Sequence, residues 1–309
     1  MIQNFLNVFQ QVMAFFVLGV VGLVLTNRGI IDKRVETGLS DIVLYIASPC
    51  IIVSSFMREF DTSMMRNIII NAVLAFLIHL IALLLGLLLI HDKDKAYRNL
   101  LRFAAMFFNC GQISLPLATA LFGSDGAMYC SIYMAMTNIL IWTYGYLLMS
   151  GSGGKLQIRK VLINPGFFAV FAGILIFLFS IQLPVPVSAA VNHLGSMNAP
   201  LGLILIGSRL SGTKLKEVFN QPGSTMSMLI RLVIAPVILI VLMYVCGLRG
   251  ALPVIAVICA CPPAANLTGL FAIHFHNNEN AAARIVLQQT IVSLLTITVI
   301  VTVAQTIFM

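Results

Sequence analysis

Two segments of the sequence combine residues that break helices with side chains that form hydrogen bonds. The first is Phe108–Pro116 (FNCGQISLP) and the second is Ala260–Gly269 (ACPPAANLTG). Proline removes a backbone donor and clashes with the preceding turn, and glycine adds backbone freedom, so a helix is expected to unwind at both. The amide and hydroxyl side chains that could partner the freed backbone groups are Asn109, Gln112, Ser114, Asn266 and Thr268.

An interrupted helix presents the N-terminus of its second half to the protein interior. Each such end is equivalent to about half a positive charge, and its free N–H groups bind anions. Paired interruptions in two matched halves of a membrane protein are the best sequence indication of a transporter binding site. The alternative is a pair of kinked structural helices, because proline is tolerated in membrane-spanning helices.

The composition is that of a membrane protein. Of the 309 residues, 60% are hydrophobic and 9% are charged, and the mean hydropathy is +1.03. A soluble domain carries roughly 25% charged residues, so a soluble enzyme, a disordered chain and an extracellular disulfide module are excluded. The net charge of +8 does not indicate nucleic acid, because the basic residues lie in short gaps between apolar runs and form no continuous stripe.

The apolar runs predict ten membrane-spanning helices, numbered 1 to 10 below. A bilayer core needs about 20 helical residues, and lipid forces each segment to satisfy its own backbone hydrogen bonds. The first run is of full spanning length and the first basic residue is Arg28, which predicts a retained helix rather than a cleaved signal. The predicted ranges are 3–26, 38–57, 67–90, 99–122, 127–149, 165–183, 187–208, 224–246, 251–274 and 281–308.

Basic residues concentrate on one side of the predicted helices. The gaps after helices 1, 3, 5 and 7, with their flanks, hold Arg28, Lys33, Arg34, Lys93, Lys95, Arg98, Arg102, Lys155, Arg159, Lys160, Arg209, Lys214 and Lys216. The opposite side holds Arg58, Arg66 and Arg249. Because positive residues favour the cytoplasmic side, we expect a multi-pass protein of the cell (inner or plasma) membrane with both termini outside.

Matched features about 150 residues apart suggest an internal repeat. Pro49 in helix 2 has a counterpart in Pro200 of helix 7, and Pro116 in helix 4 has one in Pro263 of helix 9. Two halves of five helices have opposite orientations, because five is odd. The predicted units are a first repeat at 1–149, a cytoplasmic linker at 150–164 and a second repeat at 165–309, and the alternative is coincidence.

These motifs resemble those of the auxin efflux carrier family, in particular its bacterial malate permease-like branch. The resemblance lies in FNCGQISLPLATALFG of helix 4, NPG at Asn164–Gly166 and CPPAAN of helix 9. It implies an all-α polytopic fold of ten transmembrane helices in two inverted five-helix repeats, similar to sodium/bile-acid symporters, with broken, crossing helices 4 and 9. Helices 3–5 and 8–10 would form a transport domain, and helices 1, 2, 6 and 7 a commonly dimeric scaffold. Family substrates are organic anions such as auxin, malate and malonate.

The expected substrate site lies where the breaks of helices 4 and 9 meet. Asn109 and Asn266 are expected to donate hydrogen bonds to a carboxylate, while Pro116 and Pro263 hold the unwound geometry. The complete set of expected substrate-binding residues is Asn109, Gln112, Ser114, Pro116, Asn138, Pro263, Asn266 and Gln288.

The coupling ion stays open between sodium, a proton and none. Sodium needs oxygen ligands, which broken-helix carbonyls with Gln288, Gln289 or Asn138 could supply. His79 is the central titratable candidate for a proton, and its alternative is a neutral histidine bonded to a neighbouring helix. Arg231 and Arg284 could balance an anion, although both are close enough to the cytoplasmic side to snorkel there, which is the preferred interpretation.

The sequence therefore predicts a secondary transporter of small organic anions such as malate, a permease or efflux carrier working by alternating access, and not an enzyme. The alternatives are a sodium-coupled symporter of amphipathic anions with the same architecture and a transporter-like membrane sensor. A homodimer is expected, with Na+ or H+ as possible partners beside the anion and the lipid bilayer. No cofactor or metal site is expected, because the six cysteines are interpreted as small buried residues.

Overall fold

The computed structural model describes residues 2–151, 165–209, 211, 218–221, 223–275 and 277–309. Within these ranges every regular element is a helix, and the one β feature is an isolated bridge between Phe108 and Ala264. Most of the predicted linker, residues 152–164, lies outside the described residues. The same holds for five of the basic loop residues used to predict topology, which are Lys155, Arg159, Lys160, Lys214 and Lys216.

The helices follow the predicted segments in chain order. In the first half they are Ile2–Asn27 (helix 1), Lys33–Ile42 with Val43–Ala47 and Ser48–Phe56 (helix 2), Thr62–Leu89 (helix 3), Lys95–Met106 and then Cys110–Ser114 with the start of Leu115–Leu140 (helix 4), and the rest of Leu115–Leu140 with Ile141–Gly145 and Tyr146–Ser150 (helix 5). In the second half they are Pro165–Leu178 (helix 6), Val185–Ser196 and Asn198–Ser208 (helix 7), Ser224–Leu229 with Ile230–Ile234 and Ala235–Val245 (helix 8), Ala251–Ala260 and Leu267–His274 (helix 9), and Glu279–Phe308 (helix 10).

Seven helical segments of the described chain are long and apolar enough to cross a membrane. Pro165–Leu178 and Ala251–Ala260 are apolar but shorter. The chain is therefore an all-helical, multi-pass membrane protein, as the composition predicts. The count of ten spans and the inverted repeat stay predictions.

Helices 4 and 5 form a hairpin within the segment Leu115–Leu140. Gly123 has φ 58° and ψ −140°, a backbone conformation that glycine adopts without steric cost. A Cβ placed on Gly126 would lie 2.0 Å from the carbonyl oxygen of Ala118. In a straight helix, residues eight apart are separated by about 12 Å, so the chain reverses its direction at Gly123.

Three widened turns precede prolines. The π-helical segments Val43–Ala47, Cys110–Ser114 and Ile230–Ile234 are each followed by a helix with proline at its first or second position. Proline has no N–H and its ring crowds the preceding carbonyl, so the turn before it widens to i→i+5 bonding. The prolines singled out in helices 2 and 4 thus loosen their helices without breaking them.

Close glycine contacts hold helix 1 against helix 7. A Cβ on Gly22 would lie 1.9 Å from the Ile204 carbonyl oxygen, and one on Gly207 would lie 1.8 Å from that of Gly19. Small residues of this kind let membrane helices approach at backbone distance. Helix 2 packs against helices 6 and 7, so helices 1, 2, 6 and 7 are contiguous, although their assignment as a scaffold stays a prediction.

The buried centre of the molecule consists of helices 4, 5 and 9. Every residue from 253 to 265 is buried, as is nearly every residue from 99 to 108. Large apolar side chains are exposed on helices 1, 3, 6, 8 and 10, where lipid would cover them. The two broken helices therefore lie inside protein, which is where unwound backbone is tolerated in a bilayer.

Candidate functional site

The breaks of helices 4 and 9 pair with each other. Phe108 and Ala264 form an antiparallel bridge, in which the Asn109 N–H donates to the Pro263 carbonyl at 2.9 Å and the Ala265 N–H donates to the Phe107 carbonyl at 2.9 Å. Backbone groups that the helices no longer satisfy thereby satisfy one another. The two breaks thus meet as a short rigid crossing.

Local sequence helps to explain why the backbone is not helical at the two breaks. Pro262 precedes Pro263, and a residue before proline is disfavoured in the helical region, whereas Cys261 still has helical angles, φ −93° and ψ −11°, at the end of its helix. In the break of helix 4, Phe107 is extended, with φ −104° and ψ 131°, and Asn109 has φ −86° and ψ 69°. Helix resumes at Cys110 and at Leu267.

Three of the predicted side chains meet at the crossing and form an amide cluster of Asn109, Gln112 and Asn266. The Asn109 Nδ2 donates to Gln112 Oε1 at 3.0 Å, and the Asn266 Nδ2 donates to the same oxygen at 2.6 Å. All three side chains are half-buried. The cluster therefore directs two N–H donors, one from each break, at one point.

The amide cluster faces helix 7. A Cβ on Gly202 would lie 3.8 Å from Gln112 Cγ, and the Asn198 Nδ2 lies 3.4 Å from the Gly111 carbonyl oxygen. Asn198 is itself held by the Ser48 hydroxyl, which donates to Asn198 Oδ1 at 2.7 Å. Helices 2 and 7 thus supply a small, polar wall opposite the crossing.

The other face of the crossing carries a buried cation. Arg231 is 0% exposed, its Nη2 donates to the Ala260 carbonyl, and its Cζ lies 4.5 Å from the centre of the Phe108 ring. Its Nε and Nη1 have no partner. The preferred snorkelling interpretation is therefore wrong for Arg231, because the packing of helices 3, 4, 8 and 9 encloses the guanidinium.

His79 lies against the same aromatic ring. Its ring centroid is 4.6 Å from that of Phe108, and its Nδ1 lies 2.7 Å from the Ala75 carbonyl oxygen. The side chain is buried and Nε2 has no partner. The histidine is thus bonded to its own helix rather than to a neighbouring one.

Gln289 holds the backbone of the second break in place. Its Oε1 accepts the Ala264 N–H at 3.0 Å, and its Nε2 donates to the Ser227 hydroxyl at 3.3 Å. Ser227 donates in turn to the Leu101 carbonyl at 2.8 Å. Helices 4, 8 and 10 are therefore joined behind the crossing.

Six backbone N–H groups near the two breaks are engaged within the protein. Those with an acceptor are Asn109, Cys110, Ala264, Ala265, Thr268 and Gly269. The expectation that free N–H groups at the half-helix ends bind the anion does not hold for these six. The donors directed away from the backbone are the side-chain amides.

Comparison with known proteins identifies the family of the chain. A family model described as "Membrane transport protein" matches residues 7–301. The chain belongs to this family. The match accords with the resemblance to auxin efflux carriers and covers the crossing completely.

Three relatives of this membrane transport family are each 24% identical to the chain. An "Uncharacterized transporter" of Methanothermobacter thermautotrophicus aligns over 95% of this chain and 97% of its own length. Another, of Methanocaldococcus jannaschii, aligns over 77% and 80%. A "Putative malonate transporter" of Rhizobium meliloti aligns over 84% of each chain.

The remaining predicted residues of this family member lie on helices 4, 5 and 10. Ser114 is buried and donates to the Ile258 carbonyl at 2.8 Å, and Pro116 is buried at the start of the following helix. Gln288 is buried with no partner for Oε1, and Asn138 is half-buried in helix 5. Their roles in binding stay predictions, as does a role of Gln289 or His79 in coupling.

Two polar residues of the wall, Ser48 and Asn198, were not predicted for the site. Each lies one or two positions before a repeat proline, in ASPC and NAPL. The available signal is their position beside the two prolines of the predicted repeat, Pro49 and Pro200.

Two cavities of the described chain lie away from the amide cluster. One of 140 Å³ lies between helices 1, 4, 7 and 10 and is lined by apolar side chains such as Ile113 and Leu203. One of 680 Å³ opens at the loop between helices 2 and 3, beside Arg58 and Asp61. The Ser63 N–H, 2.7 Å from Asp61 Oδ1, lowers the pKa of that carboxyl, so Asp61 stays ionised.

Proposed function

We propose that this protein is a secondary transporter of small organic anions, with carboxylates such as malonate and malate as substrates, and that it works by alternating access. The observation that carries the proposal is the amide cluster, where both broken helices direct a donor at one oxygen. The "Putative malonate transporter" among the relatives supports the substrate class.

The Gln112 amide oxygen marks the position of a substrate carboxylate. In the substrate-free protein this oxygen accepts from both Asn109 and Asn266. A carboxylate oxygen is a stronger acceptor for these donors than a neutral amide oxygen, because hydrogen bonds to charged groups are roughly twice as strong. A substrate therefore displaces Gln112, whose own NH2 then becomes available as a third donor.

Arg231 supplies the charge that an anion needs inside a membrane protein. A buried guanidinium with two unpartnered nitrogens, Nε and Nη1, is costly. The Ala260 carbonyl, at the negative end of a half-helix, and the face of the Phe108 ring offset part of that cost. Because Phe108 adjoins Asn109 in the chain, an anion on the amide cluster completes the balance across the crossing.

The same contacts favour transport driven by membrane potential without a coupling ion. The Ala260 carbonyl is engaged by Arg231, and Gln289 is engaged by Ala264 and Ser227, so these two candidate sodium ligands are already engaged, whereas the Gln288 Oε1 has no partner and is the ligand on which sodium coupling would depend. An exported monovalent anion gains about 2.3 kcal/mol per 100 mV of inside-negative potential, which supports more than a tenfold gradient. The sodium-coupled symporter of amphipathic anions is the second candidate.

Flux in proteoliposomes tests the proposal. The purified full chain is assayed with labelled malonate, malate and other mono- and dicarboxylates under an imposed potential, with and without sodium or a proton gradient. We expect saturable flux that follows voltage. Strict sodium dependence would favour the symporter, and specific binding without flux would favour the sensor.

Single substitutions connect the flux to the amide cluster. Asn109→Ala and Asn266→Ala each remove one donor, which costs about 1.5–3 kcal/mol for a charged acceptor and raises KM by roughly tenfold or more. The matched control is Asn67→Ala, because Asn67 is also a half-buried amide but bonds to Tyr129 instead. Unchanged flux in both cluster variants would make the site assignment wrong.

The orientation and assembly of the chain are parts of the same proposal. The distribution of basic residues supports a cell-membrane protein with both termini outside, and the resemblance to the family supports a homodimer with the predicted scaffold at its interface. Labelling of an added terminal tag on intact cells tests the first point, and the mass of the detergent-solubilised protein tests the second.

A further inference from the structure

Three buried thiols lie together behind the crossing. Cys110 begins the second half of helix 4, Cys130 lies in helix 5 and Cys259 lies in the first half of helix 9. Their sulfur atoms all lie within 4.8 Å of one another, and the Cys110 and Cys130 sulfurs are 3.4 Å apart. Each residue is at most 3% exposed. We name these residues the thiol cluster.

The dimensions of the thiol cluster match a three-coordinate metal ion. A metal–sulfur bond is about 2.3 Å for zinc, so three sulfurs around one central ion lie about 4.0 Å apart. The Cys110–Cys130 separation of 3.4 Å and the 4.8 Å limit within which all three sulfurs lie are compatible with that distance. Cys261, two residues after Cys259, is equally buried but is not part of the cluster.

The surroundings of the thiol cluster suit a divalent ion. Three thiolates and one divalent ion carry a net charge of −1, and the nearby Arg231 guanidinium, which interacts electrostatically with Cys110, carries +1. Thiolate ligands select soft metals. No fourth His, Cys, Asp or Glu ligand joins the group in the described chain, which favours an ion that accepts three sulfur ligands.

We propose that Cys110, Cys130 and Cys259 form a trigonal thiolate site that binds one soft divalent metal ion, for which Cd2+ is the probe. On binding, three S–H bonds break, three metal–sulfur bonds form and three protons leave to solvent, with no transfer of electrons. Cys110 follows the half-buried Asn109 directly, which gives the ion a short path from the amide cluster. The bound ion joins helices 4, 5 and 9.

Titration of the reduced, detergent-solubilised full chain with Cd2+ tests the site. A background of Cys50→Ser and Cys246→Ser removes the two cysteines that are not fully buried. We expect one Cd2+ per chain, an ultraviolet sulfur-to-cadmium charge-transfer band, and a rise in Tm because the ion binds the folded state. X-ray absorption at the cadmium edge is expected to count three sulfur neighbours.

Serine substitutions assign the ligands. Loss of an outer-shell partner already weakens metal binding about 10–100-fold, so Cys110→Ser, Cys130→Ser and Cys259→Ser are each expected to weaken it at least about 100-fold. Cys261→Ser is the matched control, since it removes a buried thiol of the same segment, and its Cd2+ affinity is expected to stay within about twofold of the background.

Several results would overturn the proposal. These are fewer than three sulfur neighbours in the background protein, equal Cd2+ affinity in Cys130→Ser, or an equal loss in Cys261→Ser. A Cys110–Cys130 disulfide, with no Cd2+ binding after its reduction, would do the same. The absorption measurement needs no substitution in the cluster, so a variant that does not fold leaves the proposal testable, and none of these readouts depends on transport.

Discussion

The two faces of the crossing differ in exposure and in chemistry. Toward helix 7 the crossing presents the amide cluster, which is half-buried and bonded mainly to itself. On the side of helices 3 and 8, Phe108 of the crossing contacts His79 of helix 3 and Arg231 of helix 8, and all three are fully buried. The half-buried amides can exchange their mutual hydrogen bonds for hydrogen bonds to a ligand. The enclosed guanidinium of Arg231 instead attracts an anion bound at the amide cluster.

This division of groups allows a membrane protein to attract an anion without exposing a cation. The guanidinium is separated from the amide cluster by the paired backbone of the two breaks, so the charge acts through a low-dielectric interior, where electrostatic interactions are strong. The amides contribute direction and the arginine contributes charge. Four predictions separate these two contributions.

The largest expected effect comes from Arg231→Met. Removing one partner of a buried charge interaction costs about 2–5 kcal/mol, so anion flux should fall roughly 30-fold or more. In the substrate-free protein the same change removes an incompletely partnered charge, which is often neutral or stabilising, so Tm should hold or rise. Arg231→Lys keeps the charge and should retain more flux than the methionine variant. A loss of Tm without a loss of specific flux would contradict this role.

Gln112 tests the other face. In Gln112→Glu a carboxylate takes the position where both asparagines donate, so the side chain mimics a bound substrate and flux should fall roughly tenfold or more, in line with the strength of hydrogen bonds to charged groups. Gln112→Ala leaves both donors free and should change KM by less than about fivefold. The comparison of KM and kcat in the two variants checks this, and equal effects would show that Gln112 does not occupy the substrate position.

Gly202 tests how closely helix 7 approaches the cluster. An added Cβ would meet Gln112 at 3.8 Å, an ordinary contact, so Gly202→Ala should leave flux within about twofold. Gly202→Phe overfills the buried contact between helix 7 and Gln112 and should lower flux several-fold, together with a fall in Tm, because a large side chain at a packed position costs about 1–3 kcal/mol. Wild-type flux in the phenylalanine variant would move the substrate elsewhere.

His79 should have the smallest effect. It is bonded to its own helix through Ala75 and stacks on Phe108, so His79→Gln should lower Tm by the loss of a packed ring, a cost of about 1 kcal/mol, while flux follows the same pH profile as in the unmodified protein. A changed pH profile would indicate proton coupling at His79 and would contradict transport driven by potential alone.

Part of this site follows from local sequence. Apolar runs of spanning length, prolines and a glycine set the helices and the breaks, because backbone hydrogen bonding in lipid leaves few alternatives. Asn109, Gln112 and Asn266 could be identified because they lie within those breaks. The snorkelling interpretation of Arg231 is wrong because distance from a helix end indicates whether a side chain can reach the membrane surface. It does not indicate which helices enclose the side chain.

The all-helical membrane fold, the positions of both breaks and the polar residues within them could be predicted from the amino-acid sequence alone. These features depend on residues that are close together in the sequence, so they can be recognised without a structure. Only the tertiary structure decided that Asn109 and Asn266 share one acceptor, that Arg231 lies behind the crossing and that three thiols meet. Those contacts join residues up to about 150 positions apart, and packing among helices, rather than local backbone preference, selects them.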